Sequence, residues 1–218
     1  MTARCEVVKT PSGAYAVRDR DVGQVMHPLV GPAVEAEQLY ITPSHLEARL
    51  RAGPGPEPEP RPLVLLDVGL GAGSNAIAAW QVSERAPASA RRLAIVSFDR
   101  DLEALALASS DVNAGAFGFE GAALQAVRAL ARDGLHETPR TRWRLVLGEL
   151  PDALGQADEA SADVVFWDPF SPRANPSLWT MGAFVALRRL CRPGATVHVS
   201  VIGPYATPPL ATVRLTVS

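Results

Sequence analysis

The sequence has few cysteines and no long apolar stretch. Only Cys5 and Cys191 occur among its 218 residues, which excludes a disulfide framework or a multi-cysteine metal cluster and favours a reducing compartment. Apolar runs such as 63–66, and mostly apolar stretches such as 197–202, are too short to span a bilayer. The first residues lack the apolar core of a secretory signal. We therefore expect a cytoplasmic protein that does not cross a membrane.

A large excess of charge is also lacking. The formal net charge is −2, so no overall positive field attracts nucleic acid or membranes. Arginines do cluster within 128–144 and 188–192, but this pattern is more typical of solvated helix surface and helix ends than of an RNA-binding stripe. With 47% hydrophobic residues, the chain can bury a core, and general disorder is excluded.

Prolines divide the chain into three parts. Residues 1–51 are predicted to be a small β-rich segment that contains a hairpin, with 35–41 ending in a strand. Residues 52–62 alternate proline with other residues, which favours extended polyproline geometry and predicts a stiff linker. Residues 63–218 form the main domain.

The main domain alternates strands with helices. The apolar run at 63–68 predicts a strand buried on both faces, and further strands are predicted at 93–98, 143–147, 163–167 and 196–202, with helices between them. This alternation predicts an α/β fold, with right-handed βαβ units and a mostly parallel, doubly wound sheet. Because few residues follow Ile202, we expect a sheet shortened at its C-terminal side. Residues 210–217 could add one edge strand; without it, the exposed edge would invite a homodimer.

A glycine-rich turn follows the first of these strands. Gly69, Gly71 and Gly73 lie between Asp67 and Asn75, where glycine allows backbone amides to approach a ligand closely. The turn lacks the sixth-position glycine of a dinucleotide fingerprint and the lysine of a Walker loop. A nucleoside ligand without phosphates therefore fits better than a dinucleotide or a nucleoside triphosphate.

Acidic residues occur where three predicted strands end. They are Asp67, Asp99 and Glu149. Because the carboxyl ends of parallel strands meet at one edge of a sheet, Asp99 can accept both ribose hydroxyls, and Glu149 can accept from an adenine amino group. Each acid alone is more typical of a helix cap or a turn. The three together favour S-adenosyl-L-methionine, which is an adenosine with a sulfonium in place of phosphates.

The most distinctive segment follows the fourth strand. It reads Asp-Pro-Phe-Ser-Pro-Arg-Ala-Asn-Pro-Ser-Leu-Trp, from Asp168 to Trp179. It resembles the Asp-Gly-Phe-x-Pro-x-x-Asn-Pro-x-x-Trp loop of a methyltransferase family. That family is the methyltransferase domain of the bifunctional enzyme of tRNA 5-methylaminomethyl-2-thiouridine biosynthesis, with its stand-alone relatives that lack the flavin oxidase domain. The family's Gly-Phe-Gly-Thr-Gly-Leu-Asn turn is similar to 69–75, and its Ser-Phe-Glu to 97–99.

The resemblance implies a Rossmann-like class I fold and N-methylation, dependent on S-adenosyl-L-methionine, of the wobble uridine in tRNA. With the glycine turn and the strand-end acids, it implies a donor site of Asp67, Gly69, Gly71, Gly73, Asn75, Asp99 and Glu149. It implies Asp168 as the catalytic residue, and Glu35, Asn175, Pro176 and Trp179 as substrate contacts. One departure is Pro169, which replaces the family's glycine and removes an amide donor.

Other interpretations stay open. The acceptor could be a small-molecule or protein amine, and a chain that keeps the pocket without turnover would be a non-catalytic S-adenosyl-L-methionine-binding protein. A nicotinamide-dependent dehydrogenase is opposed by the missing sixth-position glycine. No metal is expected, because none of the four histidines lies in a metal-binding pattern. Among them, His27 is interpreted as a loop residue.

Overall fold

A small antiparallel sheet forms the N-terminal part of the protein. The computed structural model describes residues 3–52, 61–202 and 210–217. The small sheet contains β1 (Cys5–Lys9), β2 (Tyr15–Asp19) and β3 (Gln24–Val25), in that order. The predicted hairpin is confirmed by β1 and β2, and the amide of Gly13 closes its turn by donating to the carbonyl of Thr10 at 2.9 Å.

The rest of the N-terminal part is helical. It comprises α1 (Pro32–Ala36), a π-helical turn (Glu37–Ile41), α2 (Thr42–Ser44) and α3 (Leu46–Arg51). The prediction that residues 35–41 end in a strand is therefore wrong. Pro32 starts the helix where its missing amide is not needed, and the apolar residues 39–41 are buried in the core that covers one face of the main sheet. Tertiary packing overrides the local β preference of these residues.

The main sheet has seven strands in the order β10-β9-β8-β4-β5-β7-β6. They are β4 (Leu63–Val68), β5 (Leu93–Asp99), β6 (Leu135–Glu137), β7 (Thr141–Leu147), β8 (Ala162–Trp167), β9 (Cys191–Ile202) and β10 (Leu210–Thr216). Five of these strands pair in parallel, namely β4, β5, β7, β8 and β9. The two edge strands, β6 and β10, are antiparallel to their neighbours. The predicted α/β fold and its five strands are confirmed, and β4 is the buried strand that its apolar run predicts.

Helices cover both faces of this sheet. They are α4 (Ser74–Arg85), α5 (Glu103–Ala108), α6 (Gly121–Asp133) and α7 (Met181–Leu190). The first three share one core with the N-terminal part, and α7 packs in a second core on the other face. In the described ranges, no helix is long and apolar enough to cross a membrane. The division into domains stays a prediction, and most of its linker, 53–60, lies outside the described residues.

Local signals place the helix ends. The side chain of Thr180 accepts from the amide of Ala183 at 3.2 Å and caps α7. The carboxylate of Asp101 accepts from the amide of Glu103, the first residue of α5, at 3.0 Å. Gly134 ends α6 in the left-handed conformation, with φ +70°. These ends fix where the loops between strands and helices begin.

The described part of the sheet does not end at β9. β10 pairs antiparallel with β9, from Leu210 opposite Ile202 to Thr216 opposite Thr196. The edge strand predicted at 210–217 is therefore present, and it covers the edge of β9 that would otherwise have been exposed. A homodimer stays a prediction.

The order of the strands reverses at β4. Its neighbours are β5, the next strand in the chain, and β8, which comes much later. In open α/β sheets, ligands bind beyond the carboxyl ends of the strands at such a reversal. Val68 and Trp167 are register partners at the ends of β4 and β8. The residues that follow them, Gly69 and Asp168, therefore meet at this position.

Candidate active site

A cavity of about 660 Å³ opens at the reversal of strand order. This volume is typical of sites for small molecules and cofactors. Of the residues that the sequence predicted for the site, the cavity is lined by Gly69, Gly71, Asp99, Glu149, Asp168, Asn175 and Trp179. Its opposite wall comes from the N-terminal part, through residues 24–28. The glycine turn, two of the strand-end acids and the loop after β8 therefore share one cavity.

The glycine turn approaches the loop after β8 too closely for a side chain. Gly69 has φ +93°, in the region that favours glycine. A Cβ atom placed on it would lie 2.6 Å from the carbonyl oxygen of Asp168. The amide of Gly69 donates to the carbonyl of Phe98 at 3.0 Å, which also holds the turn against β5. Glycine at this position allows three strand ends to meet.

Asp99 joins the glycine turn to the end of β5. Its carboxylate accepts from the amide of Gly71 and from the amide of Arg100, both at 2.7 Å. Burial raises the pKa of Asp99, and the amide donors oppose that shift. Each carboxylate oxygen has more than one acceptor position. Asp99 can therefore support the turn and still accept bonds from a ligand in the cavity.

The carboxylate of Asp168 is held from two sides. Its Oδ2 accepts from the side-chain amide of Asn75 at 2.7 Å, and its Oδ1 accepts from the hydroxyl of Ser200 at 3.0 Å. Burial, followed by the charge of Asp168, raises the pKa of the nearby Tyr40 hydroxyl well above its usual range. The Asp168 side chain remains 18% exposed. It presents a fixed negative charge to the cavity and can hold an N–H group there.

The loop after Asp168 is held by one hydrogen bond within the loop and by two from the N-terminal sheet. The indole of Trp179 donates to the carbonyl of Phe170 at 3.0 Å. The side-chain amide of Gln24, in β3, donates to the hydroxyl of Ser171 at 2.6 Å. The amide of Ser171 in turn donates to the side-chain oxygen of Gln24 at 3.3 Å. These contacts fasten the N-terminal sheet to the loop across the cavity.

Sequence reasoning missed His27. Its ring lies between two carboxylates, with Nδ1 3.6 Å from Oε2 of Glu35 and Nε2 3.7 Å from Oδ2 of Asp168. The side chain lines the cavity and is 11% exposed. Burial lowers the pKa of His27, but Glu35 and Asp168 outweigh it, so that the pKa is raised overall. No local pattern marks this residue, because the groups that surround it come from distant parts of the chain.

Five predicted site residues lie outside the lining of the cavity. They are Glu35, Asp67, Gly73, Asn75 and Pro176. Glu35 is fully buried, and its Oε1 accepts from the amides of 29–31 at 2.9–3.2 Å, so it holds the loop that carries His27. Asn75 contacts the cavity through Asp168, as described above. The direct contacts with donor or substrate proposed for these five residues stay predictions.

Asp67 differs from the other strand-end acids because it faces the interior. Its Oδ2 accepts from the hydroxyl of Ser97 at 2.7 Å, and that hydroxyl accepts from the indole of Trp143 at 2.9 Å. Burial raises the pKa of Asp67 to about 7. This carboxyl belongs to a buried polar row across three strands, beneath the glycine turn.

The chemistry of the cavity fits S-adenosyl-L-methionine. Asp99, Glu149 and Asp168 place negative charge around it, with Arg100 among the cations at its rim. Such a lining attracts a sulfonium cation or a substrate ammonium group and opposes the phosphates of a dinucleotide. The absence of a side chain at Gly69, where a Cβ would collide with Asp168, brings the turn and the loop together around the ligand. Gly69, Gly71, Asp99 and Glu149 are the residues that would hold the adenosyl group.

Comparisons with known proteins agree with this assignment. Residues 123–199 match the family described as S-adenosyl-L-methionine-dependent methyltransferase. The tRNA 5-methylaminomethyl-2-thiouridine biosynthesis bifunctional protein MnmC of Ralstonia nicotianae is 31% identical over 128 residues, which are 56% of this chain and 19% of that protein. The same protein of Cupriavidus necator is 34% identical over 130 residues, with the same coverage of both chains. The chain thus spans about a fifth of the length of these curated relatives.

Solved structures show the same fold. MnmC2 from Aquifex aeolicus superposes with a TM-score of 0.66 at 23% identity, over 90% of this chain and 59% of that one. Spermidine synthase from Thermotoga maritima superposes with a TM-score of 0.50 at 14% identity, over 92% and 54% of the two chains. The predicted resemblance, fold class and cofactor are confirmed. The chain thus has a Rossmann-like fold, matches a family of S-adenosyl-L-methionine-dependent methyltransferases over 123–199, and is similar over about half its length to the MnmC proteins of tRNA 5-methylaminomethyl-2-thiouridine biosynthesis.

Proposed function

We propose that this protein transfers a methyl group from S-adenosyl-L-methionine to an amine, and that the amine is the 5-aminomethyl group of 2-thiouridine at the tRNA wobble position. The carboxylate of Asp168 is the observation that carries the proposal. It is fixed by Asn75 and Ser200 at the edge of a cavity whose other side is the glycine turn. An amine held by this carboxylate would lie beside the donor site.

The residues of the chain act mainly by positioning. When bound, the donor supplies an electrophilic methyl group on a sulfonium. Asp168 accepts an N–H bond from the substrate amine and directs the nitrogen lone pair towards that methyl group, while Asn175 and Trp179 border the acceptor. Correct alignment of two reactants can by itself account for a large part of a rate enhancement. This mechanism needs no covalent intermediate on the protein.

The tRNA acceptor is supported by the relatives. The proteins from Ralstonia nicotianae and Cupriavidus necator are named for biosynthesis of 5-methylaminomethyl-2-thiouridine in tRNA, and the loop from Asp168 to Trp179 carries the motif that the sequence shares with that family. Such an acceptor places the reaction in the cytoplasm. The proposal concerns the methylation step.

A smaller amine is the second candidate. The net charge of −2 gives no general attraction for a polyanion. The bonds between Gln24 and Ser171 also narrow the cavity on the side of the N-terminal sheet. Salt dependence separates the two acceptors, because neutralising phosphates releases counterions, and tRNA affinity then falls steeply as salt rises.

The test is transfer of a labelled methyl group from S-adenosyl-L-methionine to tRNA. Two tRNAs are compared, one carrying 5-aminomethyl-2-thiouridine and one with unmodified uridine at the same position. We expect label only in the first, and none when the protein carries Asp168→Ala. Label in neither tRNA, together with transfer to spermidine or to a protein lysine, would replace tRNA by the second candidate. Binding of the donor with no transfer to any amine would contradict the enzymatic proposal.

A further inference from the structure

His27 is the one ionisable ring that reaches the cavity in the described part of the chain. Three acidic groups on separate elements act on it: Glu35 from α1, Asp168 from the end of β8, and Asp67 from within β4. The Tyr40 hydroxyl also faces Asp168. The two closest carboxylates lie at opposite nitrogens of the ring, at 3.6 Å and 3.7 Å. This arrangement stabilises the protonated, positively charged form of the ring.

Hydrogen bonds to Glu35 hold the loop that carries His27. Glu35 is fully buried and accepts from three consecutive backbone amides, at Leu29, Val30 and Gly31. Its second oxygen, Oε2, has no hydrogen-bond partner and lies on the side of His27. A buried carboxylate oxygen without a donor is costly, and a protonated ring at Nδ1 would satisfy it. Glu35 is therefore a positioning residue for a charged His27.

A methyl transfer to an amine requires removal of a proton. A primary alkylamine has a pKa near that of lysine, about 10.4, and is protonated at neutral pH. The nitrogen must lose a proton before its lone pair can attack a methyl carbon. Asp168 can hold the amine, but its carboxylate already accepts bonds from Asn75 and Ser200. Nε2 of His27, 3.7 Å from Oδ2 of Asp168, is a basic nitrogen beside the position of the amine.

Resting on the function proposed above, we infer that His27 is the proton acceptor of the reaction, with Glu35 as its positioning residue. The proton passes from the ammonium group held at Asp168 to Nε2 of His27. The freed lone pair then forms the new nitrogen–carbon bond, and the electrons of the carbon–sulfur bond leave with sulfur as a neutral thioether. The proton stays between two carboxylates and then returns to solvent. The charge of the ammonium group thus moves to a ring that already lies beside two carboxylates, and the charge of the sulfonium passes to the methylated nitrogen, which leaves as a secondary ammonium group.

The first test compares His27→Gln with His45→Gln. Both histidines have φ +53°, but His45 is exposed and lies outside the lining of the cavity, so its variant controls for the loss of a left-handed histidine. In single turnovers with tRNA carrying 5-aminomethyl-2-thiouridine, His27→Gln should lower the rate about 100-fold or more. Affinity for S-adenosyl-L-methionine should change by no more than about twofold. His45→Gln should retain both values.

The pH profile separates a proton acceptor from a structural residue. The wild-type rate should rise with pH and level off once His27 is neutral. The residual rate of His27→Gln should instead rise about tenfold per pH unit from pH 6 to 9, because only the free amine then reacts. A His27→Gln profile parallel to the wild-type profile, or an unchanged rate, would overturn the assignment. If the wild type transfers no methyl group to this tRNA, the proposed acceptor fails instead.

A second test needs no acceptor. Long-range ¹H–¹⁵N spectra follow the protonation of histidine rings, and the signals lost in His27→Gln identify this ring. The titration midpoint of His27 should lie above its usual value, and Glu35→Gln should lower it by about one pH unit or more. Glu35→Gln keeps an oxygen acceptor for the amides of 29–31. A ring that stays neutral down to pH 5, or a midpoint unaffected by Glu35→Gln, would contradict the inference.

Discussion

The side chains of Asn75 and Asp168 are joined by a hydrogen bond of 2.7 Å. Asn75 lies in the first turn of α4, directly after the glycine turn, and Asp168 begins the loop after β8. The bond therefore connects the element assigned to the methyl donor with the element assigned to the acceptor. Their separation along the sequence is large, but the reversal of strand order at β4 brings them together. The predictions below separate the two halves of this site.

Asp168→Ala should remove transfer and spare donor binding. The substitution deletes the carboxylate that holds the amine, and it leaves Gly69, Gly71 and Asp99 unchanged. We expect methyl transfer to fall about 100-fold or more, with the dissociation constant of S-adenosyl-L-methionine within about threefold of the wild type. Single-turnover transfer and calorimetry measure the two quantities. Asp133→Asn, at an exposed acid of α6 that pairs with Arg132, is the control, and retained transfer in Asp168→Ala would remove the role assigned to it.

Asp99→Ala should weaken donor binding. The carboxylate holds the amide of Gly71, and in the account above it also accepts from the ribose hydroxyls. Loss of hydrogen bonds to a charged group costs about 1.5–3 kcal/mol, so affinity should fall by about 10- to 100-fold. Calorimetric titration measures this change, and circular dichroism checks that the variant is folded. A folded Asp99→Ala variant with wild-type affinity would exclude the ribose contact.

The variants Gly69→Ala and Gly118→Ala separate the backbone strain of a positive φ from the collision of a Cβ atom with a neighbouring loop. Both positions have a positive φ, +93° and +71°, but a Cβ on Gly118 would meet nothing within 4 Å, whereas one on Gly69 would collide with Asp168. Gly118→Ala should lower the free energy of unfolding by about 1–2 kcal/mol and leave donor affinity unchanged. Gly69→Ala should destabilise the protein more and lower donor affinity about tenfold or more. Chemical denaturation and calorimetry test this pair, and equal effects of the two variants would contradict the close approach.

Asp67→Asn should alter the pH dependence of stability. The folded-state pKa of Asp67 is raised by burial to about 7, from about 3.9 in an unfolded chain. Between these values the folded state retains a proton that the unfolded state has lost. The contribution of Asp67 to stability is therefore complete below about pH 4 and is lost as the pH rises to about 7, at up to about 1.4 kcal/mol per pH unit.

Asparagine cannot ionise, so Asp67→Asn should lack this loss. From pH 4 to pH 7, the free energy of unfolding of the variant should increase relative to that of the wild type. Above about pH 7 the difference between them should level off. Urea denaturation at several pH values measures this difference. It also cancels the contributions of shifted groups that are not among the causes of the Asp67 shift, such as Asp133 and Asp163. A difference independent of pH would show that Asp67 is ionised in the folded protein.

The fold of the main domain could be predicted because its signals are local. The apolar run at 63–68 gives β4 at those residues, and proline and glycine mark where strands and helices stop. The helices within 32–51 could not be predicted, because three consecutive apolar residues, 39–41, also suit a strand. Their burial against the main sheet decides the outcome. β6, three residues long, gave no sequence signal.

The candidate site was predictable where residues follow the ends of strands. Asp99, Glu149 and Asp168 reach the cavity because parallel strands end at one edge of the sheet. The sequence cannot show that Asp67, one residue before the end of β4, faces the interior instead. His27 was missed for a different reason. Its surroundings depend on how an irregular loop crosses the sheet, and this path is set by contacts such as that between Gln24 and Ser171.

The central claim is that this cavity binds a methyl donor. Calorimetric titration with S-adenosyl-L-methionine and with S-adenosyl-L-homocysteine tests it most directly, with NADH as the control ligand. We expect the two adenosyl compounds to bind with micromolar dissociation constants and Asp99→Ala to weaken both, while NADH does not bind. A folded protein that binds neither adenosyl compound, or that binds NADH more tightly than both, would contradict the assignment of the cavity.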